Sequence, residues 1–143
     1  MPTASQAELA YATEALEFHR AITVPAGPVA ASRSELDGLH RHLLAVYALC
    51  DAHTTRAQPV ARTEADHLRA ARIRVWQAAE HLHAAFHAAP CADTGRIPSR
   101  EACRARLPQG APELGLCRRH VEAAARVRRD HTPAELRNPT ARL

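Results

Sequence analysis

The 143-residue chain contains no lysine, a single asparagine (Asn138) and only five glycines, and Phe, Trp and Tyr together make up 3% of it. Each shortage closes off a class of architecture or chemistry. So few rings leave a core of Leu, Val and the 32 alanines, which suits closely packed helices and not a β-sandwich built on β-branched and aromatic side chains. Five glycines leave little material for a phosphate-cradling loop, and no Gly-x-Ser-x-Gly, His-Glu-x-x-His or Cys-x-x-Cys occurs. No run approaches the roughly 18–20 apolar residues of a membrane helix, and the opening MPTASQAELA has no basic segment followed by an apolar stretch. A soluble, cytoplasmic protein is expected, with its four cysteines as reduced thiols.

All 19 basic residues are arginine, a bias that a GC-rich coding sequence would produce, so the isoelectric point near 9.3 carries little functional weight. The charge is nevertheless uneven: net −2 over residues 1–95 and net +6 over 96–143. A basic C-terminal third is a candidate footprint for an acidic partner such as nucleic acid.

Caps and hydrophobic spacing place four helices. The first spans about 5–22, opened by the box Ser5-x-x-Glu8 and stopped by Pro25, Gly27 and Pro28. The second follows Ser32, with Glu35 completing its box, and lasts to about residue 56, where Pro59 separates it from the third. That third helix, about 63–89 with Thr63 and Asp66 in box positions, is the longest. A short helical turn at 99–106 and the proline-flanked PQGAP lead into the fourth, about 112–130, closed by Thr132-Pro133. The expectation is an all-α, antiparallel four-helix bundle with a short extra helix in the third connection, one domain over 1–131 and a polar tail over 132–143. Apolar stripes at spacings of three and four pick Leu36, Leu39, Leu43, Val46, Tyr47 and Cys50 on the second helix, and Leu68, Ala71, Val75, Ala79, Leu82 and Phe86 on the third.

The segment WQAAEHLHAAFH, residues 76–87, raises the chief functional question. Trp76, Glu80, His83 and His87 share an arc of about 60°, off the apolar stripe, where a neighbouring helix or a second subunit would sit. Glu80-x-x-His83 followed by His87 one turn on could turn three ligands to one ion. The di-iron bundles, however, carry such motifs on two different helices, and here the other Glu-x-x-His pair, Glu64 and His67, is on the same helix. His19 and His120 lie inside apolar arcs, so a histidine-lined metal or haem site would draw on His19, Glu80, His83, His87 and His120. A zinc site from Cys91, Cys103, Cys117 and His120 is a further candidate, although only Cys117-x-x-His120 has close ligand spacing. Buried histidines are more often satisfied by a carbonyl or carboxylate than by a metal.

The segments EALEFHRAI, PAGPVAASRSELDGLHRHL, RIRVWQAAEHLHAAFHAAP and CRARLP, in that order, resemble a group of small proteins from high-GC actinobacteria that carry a domain of unknown function. The resemblance spans nearly the whole chain. It implies a helical fold and transfers no site residue. The leading expectation is a non-enzymatic interaction or regulatory protein, homodimeric, with Trp76, Glu80, His83 and His87 as contact surface and no cofactor. The alternatives are a bundle that binds a metal, haem or small ligand through its histidines, and weak, salt-sensitive nucleic-acid binding through Arg118, Arg126 and Arg129.

Overall fold

The computed structural model describes Glu14, Glu17 and residues 27–91, 94–102 and 115–138. The chain divides into two compact units, 1–30 and 31–143. In the first, Glu14 and Glu17 are helical, as expected for the first helix; the rest of that helix, with its Ser5–Glu8 box, and His19 lie outside the described residues. The second is all-helical among its described residues, with α1 Arg33–Ala57, α2 Arg62–Ala88, α3 Leu116–Asp130 and α4 Pro133–Arg137.

Local chemistry sets most of these boundaries. Ser32 accepts the Glu35 amide while Glu35 reaches back to the Ser32 amide, the capping box read from the sequence. The turn through Gln58, Pro59 and Val60 reverses the chain. α2 begins one residue earlier than expected, from Ala61 with no side-chain cap, so the Thr63–Asp66 box does not form. Pro133 sits in the first turn of α4 and Thr132 caps it by accepting the Glu135 amide. This short helix occupies part of the stretch read from the sequence as a polar tail, and it buries Glu135.

α1 and α2 are antiparallel, as the pairing of Arg33 with Ala89, Leu36 with Phe86, Tyr47 with Trp76 and Asp51 with Arg72 shows. α3 runs parallel to α1 and antiparallel to α2: His40 meets His120 and Tyr47 meets His131, while His87 meets Cys117 and Gln77 reaches the Leu136 carbonyl. Three long helices are therefore placed among the described residues of this unit, and the first helix of the expected bundle lies almost wholly outside them. Two apolar clusters hold them, one of Leu36, Phe86, Ala89, Leu116 and Cys117, the other of Tyr47, Trp76, Ala79 and Val127.

The helix phases differ from those the apolar stripes suggested. On α1 the buried seam runs Leu36, His40, Tyr47 and Thr54, with Leu43 half-buried between, whereas Leu39 is 42% exposed. On α2 it runs Ala65, Arg72, Trp76, Ala79 and Phe86, with His83 half-buried and Ala71 exposed. Both seams keep alternating three- and four-residue steps, as packed helices require, but pass through polar residues.

Candidate metal centre

The side chains at the α1–α2–α3 junction are imidazoles. His40 is fully buried, His120 nearly so, and His83 and His87 face the same space from α2. Arg119 donates from Nε to His40 Nδ1 (3.2 Å) and from Nη2 to the Asp37 carboxylate (2.8 Å) and carbonyl (3.1 Å). An Nδ1 that accepts leaves the neutral His40 proton on Nε2, from which it is donated to His120 Nδ1 at 2.9 Å. His120 therefore carries its own proton on Nε2. Its ring stacks on Trp76 (centroids 4.6 Å) and on His83 (4.3 Å).

Beyond this stack, His83 Nε2 lies 2.9 Å from His87 Nε2, and Cys117 Sγ lies 3.5 Å from that same His87 nitrogen. The three ligand atoms all fall within 4.8 Å of one another. One proton can lie between the two imidazoles, and the thiol then competes for a nitrogen already engaged, while His87 Nδ1 is buried with no partner. A tetrahedral zinc ion with Zn–N near 2.05 Å and Zn–S near 2.3 Å needs ligand separations of about 3.3 and about 3.6 Å. The Cys117–His87 distance already matches, the two rings need part by about 0.4 Å, and Cys117 and His83, within 4.8 Å of each other, would have to settle to about 3.6 Å.

Electrostatics keep these rings in the form that ligates metals. Burial, reinforced by neighbouring histidines and arginines, lowers the pKa of His40, His83 and His120 to about 4. His87 is also lowered, by burial and then by Arg100 and Arg33. All four are neutral near pH 7; the lone pairs of His40 and His120 are engaged by Arg119 and His40, which leaves those of His83 and His87 for a metal.

A second polar chain lies at the C-terminal end of α3. Tyr47 Oη is 3.1 Å from His131 Nε2, and His131 Nδ1 is 3.4 Å from Glu135, which Arg69 holds at 2.7 and 3.0 Å while also reaching the Asp130 carbonyl. Burial raises the Tyr47 phenol and lowers His131, so both stay neutral, a pinning contact for α4 and not a nucleophile.

The candidates read from the sequence separate accordingly. Trp76, expected as part of a contact surface, is 4% exposed inside the chain's own core, and Glu80 is exposed. The four residues of that arc thus do not form one surface. His83 and His87 come together as expected, but His120 presents its face to His83 and a protonated Nε2, so it joins the site as a cover and not as a converging ligand. Cys117 joins them from the proposed zinc set; Cys91 is not in the converging group and Cys103 lies outside the described residues. His40 and His131 were missed. The signal for His40 in the sequence is its step of four from Leu36 and of three to Leu43, a seam position that its apolar neighbour Leu39 masks. Arg118, Arg126 and Arg129 are exposed on α3, as anticipated, but Glu122 projects into the middle of their arc and offsets their field.

Among the described residues no helix is long and apolar enough to cross a membrane. One family model, of a family of unknown function (DUF6238), matches residues 1–142. No curated protein and no solved structure matches the chain.

Proposed function

Since the chain belongs to DUF6238, a family of unknown function, its role has to be read from its own side chains, and we propose that it binds one transition-metal ion through His83, His87 and Cys117. The observation that carries this reading is the gathering of two imidazole nitrogens and a sulfur within 4.8 Å of one another, with His87 and Cys117 30 residues apart in sequence. Nitrogen and sulfur donors without a carboxylate suit zinc(II) or copper(I) over calcium, magnesium or manganese. A single ion is favoured over haem, because Trp76, His120 and His83 stack at 4.3–4.6 Å and leave no space between them for a macrocycle. The test is elemental analysis and calorimetric titration of untagged protein with zinc. Wild type should take up one equivalent, Cys117→Ser and His87→Ala should lose it, and Glu80→Gln should keep it; binding that survives both ligand substitutions would overturn the assignment.

A second reading keeps the homodimer or protein contact expected from the sequence but moves it off Trp76. Leu39 on α1 and Val121 on α3 are 42% and 51% exposed, each next in sequence to one partner of the buried His40–His120 pair. Light scattering of wild type and Leu39→Ser decides it, since a monomer at all concentrations removes the homodimer. The arginine and alanine bias supports the expected actinobacterial source.

A further inference from the structure

The helices that supply the converging ligands are fastened to one another unevenly. α1 and α2 share a long antiparallel seam, closed by a short turn and carrying Leu36, Tyr47, Ala65, Ile73, Trp76, Ala79 and Phe86 in its interior. The segment 115–138, made of α3 and α4, brings far less apolar surface to that hairpin: Leu116, Cys117 and Val127 buried, with Ala123, Ala124 and Leu136 half-buried. Its remaining inward groups, Arg119, His120, His131 and Glu135, exchange hydrogen bonds with water for hydrogen bonds with the hairpin, which yields little net gain. The segment's docking thus rests on a thin apolar contribution and on a polar network that must be completed before it stabilises anything.

The converging atoms straddle this weaker junction. His83 and His87 belong to the hairpin and Cys117 to the first turn of α3. An ion held by all three is a cross-link between residues 30 positions apart, and such a link removes freedom from the undocked chain as a disulfide does. An ion that binds only the docked arrangement also shifts the docking equilibrium toward it by mass action.

Resting on the metal-binding reading above, we infer that the ion is a conformational clamp: its binding docks the segment 115–138 on the α1–α2 hairpin, and its removal releases that segment and uncovers the Tyr47–Trp76 face. Trp76 reports on this directly, being the single tryptophan, buried, and stacked on His120 of the segment that would leave. The hairpin keeps its own seam and stays folded. The state of the ion thereby decides whether an apolar face is covered or open.

The full chain, stripped of metal and then given one equivalent of zinc(II), is followed by peptide-resolved hydrogen exchange and Trp76 fluorescence, with bound zinc measured on the same samples. Exchange within 115–138 should slow at least tenfold on zinc addition, and the Trp76 emission should move to the blue, while the central turns of α1 change little. Cys117→Ser should exchange like the metal-free wild type and show no response to zinc. Stoichiometric binding with unchanged exchange in 115–138 would overturn the clamp and leave the metal site standing. Absence of bound zinc would remove both.

Discussion

Acidification should loosen the docked protein well above the pH at which carboxylates protonate, because His40 is buried there without charge. Its pKa falls from 6.5 to about 4 on folding, with desolvation as the main cause and the Arg119 guanidinium next. Between those values the unfolded chain binds the proton that the folded chain refuses, so the stabilisation is complete above pH 6.5 and is lost as pH falls toward 4. For one such histidine the loss between pH 7 and pH 5 comes to about 2 kcal/mol. His83 and His120 carry the same shift, so the total lies between about 2 and about 6 kcal/mol, a large part of the roughly 5–15 kcal/mol by which domains are stable. With a urea dependence of about 1–2 kcal/mol per molar, the midpoint should fall by at least about 1 M. Urea titrations of the protein without chelator, at pH 7, 6 and 5, followed by Trp76 emission and helical circular dichroism, measure this. A midpoint that does not move from pH 7 to pH 5 would refute the buried, neutral imidazole cluster.

Three further outcomes check the packing. Trp76→Ala should cost about 3–5 kcal/mol in urea titrations and give the same molar mass as wild type in light scattering, since the ring fills the chain's own core. Leu36→Ala should cost about 2–5 kcal/mol and Leu39→Ala within about 0.5 kcal/mol, so equal denaturation midpoints would show that the phase of α1 is misassigned. Arg119→Ala leaves the buried Asp37 carboxylate to the exposed Arg41 at 3.4 Å and removes a donor to His40; with the Arg119 side chain partly open to water, the cost should be about 2 kcal/mol, below the roughly 3–5 of a fully enclosed pair, and Asp37→Asn in the same background should recover part of it.

The sequence alone was sufficient where the cause is local. Ser32 and Glu35 start α1 because they satisfy amides three residues away, Pro59 belongs to the turn between α1 and α2, and Thr132-Pro133 ends one helix and opens the next. The shortage of rings and glycines pointed to helices, and the ligand types His83, His87 and Cys117 were visible as such. Only the tertiary structure decided which face of each helix turns inward. With 32 alanines and few large apolar residues the stripes are shallow, so a seam through Leu36, Leu39 and Leu43 and one through Leu36, His40 and Leu43 compete closely until a partner helix is present. His40 wins because Arg119 and His120, some 80 residues on, satisfy both its nitrogens, whereas Leu39 can stay in solvent at small cost. The same dependence holds for the candidate centre: His83 and His87 are brought together by one helical turn, but Cys117 reaches them only through the packing of α3 on α2, a contact that no spacing within the sequence encodes.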